Sequence, residues 1–307
     1  MGKKNEYPVF SGLDSLPKGR ASEVLTEGCA VLEGGAFRGV YGEGVLDAMM
    51  EADINFSCTV GVSAGALNGM NYVTGQIGRS ARLNLRFRHD PRYVGSQVRK
   101  ANDGIIGFDF MFGDAGKDEP YDMEYFLRSE RKFYAVCASV ETGEALYLGK
   151  ENCTDMYQAV RASASMPYVS KPVMVDGIPC LDGGCSVKIP YQYALEQGYR
   201  KIVLVLTRPK SYRRKENTLL DKISKPFYRR HKEFARVLRE SSARSNRELD
   251  EIDALEAERR IFVIRPSRDM GIGRLEKDME KLGAWYYLGY GDAKNCMSAL
   301  KDYLAAE

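Results

Sequence analysis

Three short segments hold residues whose types and spacing suit acyl-transfer chemistry. Gly61-Val62-Ser63-Ala64-Gly65 sets a serine between two glycines, after an apolar run and before a helix-like stretch. Glycines on both sides let the backbone make a sharp turn that holds the hydroxyl at the end of a strand and at the positive end of the next helix. A serine so placed can attack a carbonyl; the plainer reading is a turn with Ser63 as helix N-cap. Glu33-Gly34-Gly35-Ala36-Phe37-Arg38-Gly39 is a glycine-rich strand-to-helix loop. Its backbone N–H groups can form a nest for an anion, either a phosphate or the developing oxyanion of acyl transfer. A dinucleotide site fits less well, because Ala36 stands at the second glycine of G-x-G-x-x-G and no acidic ribose ligand follows on the next strand. Leu181-Asp182-Gly183-Gly184 sets a carboxylate between an apolar run and two glycines. Partly desolvated, such an Asp is a stronger base than one in water. A turn Asp bonded to nearby amides is the bland alternative.

The elements around these segments read as an α/β fold. Cys29–Glu33 and Ser57–Gly61 are short apolar runs expected as buried strands, with helices over Val40–Glu51 and Ala64–Val73. This β-loop-α-β-turn-α order opens a parallel sheet. Phe133–Val140 and Ala145–Leu148 flank a Thr142-Gly143 turn, and Val173–Val175 and Pro179–Leu181 bracket Asp176-Gly177, so both pairs read as hairpins. Asp155–Ala164 is expected as a helix ending before Pro167, and Lys201–Thr207 and Arg260–Ile264 as further strands. Residues 1–28 read as a polar lead-in, 29–207 as the catalytic core, and 208–307 as a charged, mostly helical elaboration of the same domain.

Composition bounds the rest. The chain has 307 residues, 44% hydrophobic and 28% charged, enough to bury a sizeable core. A formal net charge of +3 gives no whole-protein case for nucleic-acid binding. The N-terminus MGKKNEYPVFSG lacks the apolar core of a signal peptide, and Glu6 stands where a myristoylation motif wants Ser or Thr. No apolar run approaches the roughly 20 residues of a membrane span. Seven cysteines are scattered without a CxxC pair, and His89 and His231 are the only histidines, so no metal site is expected. The cysteines read as small buried hydrophobes of a reducing cytoplasm.

Taken together, the motifs resemble the patatin-like phospholipase family. The resemblance runs from about Cys29 to Thr207 and rests on the Gly34–Gly39 loop, on Gly61–Gly65 and on Asp182-Gly183-Gly184. Ala162-Ser163-Ala164-Ser165-Met166-Pro167 is similar to the family's A-S-x-x-x-P segment. The resemblance implies a three-layer α/β/α fold with a mainly parallel central sheet. It implies hydrolysis of a lipid ester through an acyl-Ser63 intermediate, with Asp182 as base in a dyad and no metal or organic cofactor. Gly35 and Ala36, with Gly34 and Arg38, would supply the oxyanion hole. Ala36 departs from the family's usual glycine. Two other functions stay open: an α/β-hydrolase using Ser63, Asp182 and His231, and a non-catalytic module that binds a lipid or a partner.

Three features stand outside the motifs. Arg38 reads as a loop arginine bonded to nearby carbonyls, or as a cation that meets a phosphate head group. Arg208–Arg239 is strongly basic, with apolar residues interleaved. It is either a solvated helical face packed on the sheet or a surface for peripheral contact with an anionic membrane. Trp285, the one tryptophan, is expected in a core or at a subunit contact. Oligomeric state is not legible.

Overall fold

The computed structural model describes residues 7–99, 103–215 and 218–306, with only the backbone for 218–221. The first six residues of the lead-in, and Glu216 in the basic run, lie outside the described residues. Eight strands form one sheet: β1 (Thr26–Leu32), β2 (Phe56–Val62), β3 (Lys132–Ser139), β4 (Ala145–Gly149), β5 (Val173–Val175), β6 (Ile178–Asp182), β7 (Ile202–Val205) and β8 (Phe262–Ile264). The run β8-β7-β1-β2-β3 is parallel throughout. β4 and β6 join β3 antiparallel, and β5 joins β6 as a hairpin.

The helices are α1 (Val40–Glu51), α2 (Ala64–Thr74), α3 (Arg79–Phe87), α4 (Phe108–Phe112), α5 (Ala115–Asp118), α6 (Met123–Arg128), α7 (Met156–Ser163), α8 (Tyr191–Glu196), α9 (Thr218–Phe227), α10 (Lys232–Ala257) and α11 (Met279–Ala305). They cover both faces of the sheet, and the period-2 alternation of the strands explains why both faces are apolar. Ala30, Leu32, Val203 and Val205 pack with α1 and α11. Cys29, Val31, Ile202 and Leu204 pack with α8 and α10 on the opposite side. Phe133, Ala135 and Cys137 of β3 pack under α2 and α7. Each valine, leucine, isoleucine or phenylalanine among them, fully buried, contributes roughly 1.5–3 kcal/mol. The chain is thus an α/β/α sandwich around a mainly parallel sheet.

The expected strands and helices occur, with ends that shift by a few residues. The stretch between Gly75 and Arg131 had no reading from sequence, and it holds α3 to α6. In α3 the buried positions are Arg79, Ala81, Leu83, Leu85 and Phe87. That period of two imitates a strand, because this short helix is covered on several sides at once. Trp285 is buried in the core beside Tyr41, with ring centroids 5.2 Å apart.

Candidate active site

β2 ends at Val62 and α2 begins at Ala64, so Ser63 alone makes the turn between them. Its φ of 58° and ψ of −123° are strained for a residue with a Cβ, at a cost of about 1–3 kcal/mol. The flanking glycines permit the turn through close approach. A Cβ on Gly65 would lie 2.4 Å from the Leu32 carbonyl oxygen, and one on Gly61 would lie 2.4 Å from that of Gly65. Ser63 is nearly buried, at 8% exposure. Its backbone N–H donates to Ser163 Oγ at 2.9 Å, and the Ser163 hydroxyl donates onward to the Val136 carbonyl at 2.7 Å.

Strand register brings Asp182 to this point. Val62 of β2 pairs with Val136 of β3, and Asp182 of β6 pairs with the next residue, Cys137. β4 pairs with Val136 and Cys137 as well and so takes the other edge of β3. β2 and β6 therefore share one edge, and Asp182 arrives where β2 stops. Gly183 makes the turn possible, since a Cβ there would lie 2.1 Å from the Val136 carbonyl oxygen. The Asp182 N–H donates to the Ser165 carbonyl at 2.8 Å, and its Oδ1 accepts the Gly184 N–H at 2.8 Å. The Ala162–Pro167 segment thus fixes both site segments, Ser163 on one and Ser165 on the other.

Burial pushes the Asp182 carboxyl above its ordinary range. The neighbouring Ser63 hydroxyl, the Gly184 N–H and the charges of Lys188 and Arg274 oppose that rise. Lys188 donates to the Gly184 carbonyl, and burial, aided by Arg214, lowers its ammonium to about 8.

The glycine loop lies against the turn. A Cβ on Gly34 would sit 2.9 Å from Ser63 Cβ. Ala36 takes φ 51°, the left-handed conformation that a glycine adopts freely. The Phe37 N–H donates to the Arg274 carbonyl at 3.1 Å, and the Arg38 N–H to the Gly35 carbonyl at 3.2 Å. Trp285 Nε1 donates to the Arg38 carbonyl at 2.9 Å, so α11 holds the loop from behind. Glu33 Oε2 accepts from the Thr207 N–H and hydroxyl at 2.6 and 3.0 Å. Arg38 departs from the expected loop arginine bonded to carbonyls. Its guanidinium is largely buried, and Nε has no partner among the described residues. Burial lowers its guanidinium to about 10.

Ser63 and Ala36 open onto a cavity with about 870 Å³ of empty space, part of it continuous with solvent. Leu67, Met70, Leu83, Met111 and Phe112 give it apolar walls. Its polar lining includes Glu43, whose carboxyl burial raises to about 8. Apolar walls beside the serine suit an acyl chain. Neither histidine lines it: His89 Nε2 bonds the Lys277 carbonyl at 2.7 Å, and His231 precedes α10.

Sequence reasoning missed the cavity walls from α3 and α4, the two serine clamps and the approach of Arg274. The A-S-x-x-x-P match was the one visible signal, and it did not say what the serines hold. The basic run divides. Lys210 pairs with Glu256, Arg213 with Asp250 and Asp253, and Arg236 with Glu233 and Glu240. Lys222, Lys225, Arg229 and Arg230 are exposed, beside exposed Ile223 and Phe227. No helix among the described residues is long and apolar enough to cross a membrane.

Residues 30–136 match the family model of the patatin-like phospholipases, and residues 231–305 match a domain of unknown function (DUF6363). The chain is 30% identical over 186 residues to the uncharacterized protein YjjU of Escherichia coli (strain K12), an alignment covering 58% of this chain. It spans about half the length of that curated relative, 51%. Among solved structures it is similar to VipD from Legionella pneumophila, with 12% identity, a TM-score of 0.42, and coverage of 99% of this chain and 72% of that one. Through residues 30–136, which hold the glycine loop and the G-x-S-x-G turn, the chain is similar to the patatin-like phospholipases.

Proposed function

We propose that this protein hydrolyses carboxylic esters of lipids through a Ser63–Asp182 dyad. The observation that carries the reading is the strained Ser63 turn, set beside a buried carboxyl and opening onto an apolar cavity. Asp182 takes the Ser63 hydroxyl proton as Oγ attacks the ester carbonyl carbon. The carbonyl π electrons move to oxygen, where the Gly35 and Ala36 amides, with Gly34 beside them, stabilise the negative charge. The Arg38 N–H belongs to the turn, so that residue acts through its side chain. Collapse breaks the ester C–O bond, and the leaving alkoxide takes the proton from Asp182. A water then attacks acyl-Ser63, giving one proton to Asp182; collapse releases the fatty acid and returns that proton to Ser63.

The test is labelling with a fluorophosphonate, followed by mass spectrometry, and turnover of p-nitrophenyl esters and a phospholipid panel with Ser63→Ala as control. An adduct on Ser63 and loss of turnover in the variant support the reading. Labelling of another serine with Ser63 untouched refutes it.

Residues 208–307 belong, in this reading, to the same domain as the site, since β8 pairs with β7 and α11 supports the glycine loop. Peripheral contact with an anionic membrane is the second part of the proposal. The exposed Ile223 and Phe227, flanked by exposed cations, favour it.

A further inference from the structure

Five cations lie near one another around the glycine loop and the Asp182 turn. Arg38 Nε would lie 3.3 Å from a Cβ on Gly35. Lys188 reaches the Gly184 carbonyl, and the Arg274 carbonyl holds the Phe37 N–H. Arg208 follows Thr207, which is tied to Glu33 at the start of the glycine loop. Arg214 is pinned by Asn246, which accepts its N–H at 2.7 Å and donates to its carbonyl at 2.9 Å.

The side chains feel one another. Besides burial, Arg208 and Arg274 depress both Arg38 and Arg214, and Arg214 and Arg274 depress Lys188. Neighbouring Lys210, Arg213 and Arg265 are neutralised by acidic partners. No such ion pair is formed by these five among the described residues, and the Nε atoms of Arg38, Arg208 and Arg214 are buried without partners. The nearby carboxyls are Glu33, Asp182 and Glu248, fewer than the cations. Like charges held together with unfilled donors are unfavourable unless an anion completes them. Guanidinium forks match phosphate oxygens in pairs.

We propose that Arg208, Arg214 and Arg274, with Arg38 and Lys188, form a subsite for a phosphomonoester dianion, so that the protein selects acyl esters of glycerol phosphate over zwitterionic and neutral glycerolipids. This rests on the reading of Ser63 as nucleophile given above. A terminal phosphate offers three outer oxygens to cations that approach from several segments. A choline beyond the phosphate would bring a positive charge among the arginines and be repelled. Arg208, Arg214 and Arg274 lie outside the residues that match the patatin-like model, and Arg274 lies within the domain of unknown function. That C-terminal region thereby takes a part in choosing the substrate.

The experiment compares kcat/KM for lysophosphatidate, lysophosphatidylcholine and monoacylglycerol of one acyl chain, presented as monomers. The wild-type protein favours lysophosphatidate at least tenfold. In the Arg208→Gln, Arg214→Gln, Arg274→Gln triple variant, with circular dichroism checking the fold, that ratio falls towards one. Should the triple variant not fold, the single Arg208→Gln and Arg274→Gln variants each lower the ratio. Calorimetry of glycerol 3-phosphate and of inorganic phosphate with Ser63→Ala reads the subsite without turnover, so it stands even if no ester is hydrolysed. Binding that is lost in the same arginine variants supports the subsite. Equal or better kcat/KM for the choline or neutral lipid overturns the proposal. So does glycerol 3-phosphate binding that survives the arginine changes. Phosphate binding without any lipid preference marks a free-phosphate site and overturns the claim about substrate choice.

Discussion

Ser163 accepts the backbone N–H of Ser63 at 2.9 Å and is itself fully buried. One hydroxyl thereby ties the turn of Ser63 to the Val136 carbonyl of the adjacent strand. The bond fixes a residue whose backbone is strained, at φ 58° and ψ −123°.

Ser163→Ala removes this clamp and strands a buried N–H and a buried carbonyl. Each unsatisfied group costs about 1–3 kcal/mol, so the variant melts at a lower temperature. Ester turnover at 25 °C, where the variant remains folded, shows kcat down about tenfold with KM nearly unchanged, because the acyl cavity is untouched. A kcat equal to that of the wild type would show that Ser63 keeps its place without the clamp.

Asp182→Asn loses on the order of 10²–10⁴ in kcat, the usual contribution of a positioned base. The paired His89→Ala, His231→Ala variant keeps activity within a few-fold. His89 is occupied at the Lys277 carbonyl, and neither ring lines the cavity. Steady-state kinetics on a soluble ester decides between the dyad and a histidine-containing triad. A folded but inactive histidine variant would exclude the dyad.

Activity falls on the acid side as Asp182 takes up a proton, and burial sets that fall above the ordinary aspartate range. Lys188 holds the carboxyl down, since its positive charge favours the ionised form. Lys188→Met removes that charge, so the acid limb of the kcat/KM profile moves to higher pH. A limb that stays in place, or moves to lower pH, contradicts the electrostatic role of Lys188.

Ala36→Gly gives this position the residue its backbone asks for. A left-handed alanine costs about 1–2 kcal/mol, while glycine loses roughly 0.5–1 kcal/mol more backbone entropy on folding. The balance favours glycine by at most about 1.5 kcal/mol. Thermal melting rises slightly, and turnover of a soluble ester is retained, because the amide at this position is kept. A clear drop in melting temperature would mean that the alanine methyl contributes packing that outweighs its strain.

Anionic vesicles pellet the protein at low salt and release it at high salt, whereas neutral vesicles leave it in solution. Each cation near such a surface contributes about 1 kcal/mol, and the attraction fades over about 8 Å at physiological salt. Reversing the charges of Lys222, Lys225, Arg229 and Arg230 abolishes pelleting. Equal binding to both vesicle types, or none at low salt, returns the segment to a solvated helical face.

The sequence by itself determined what is local. Short apolar runs wrote the strands, and the glycines around Ser63 and before Arg38 wrote the turns, because these preferences act within a few residues of chain. The order of the four motifs was enough to name a family and two candidate residues, Ser63 and Asp182. The sequence could also flag Ala36 as a departure, but not the φ it adopts.

The tertiary structure decided which distant groups meet. Ser63 and Ser163 are separated by 100 positions, and Arg38 and Trp285 by 247. No local pattern records such pairings. Asp182 reaches Ser63 because β6 takes up, at Cys137, the same edge of β3 along which β2 ends at Val136. That register is set by the packing of the whole sheet rather than by any dipeptide. The cations show the same limit. In sequence, Arg208, Arg213 and Arg214 belong to one basic run. In the fold, Arg213 is paired at the surface, while Arg208 and Arg214 turn unpartnered Nε atoms inward. A charge is legible from sequence; its neutralisation depends on what the folded chain brings beside it.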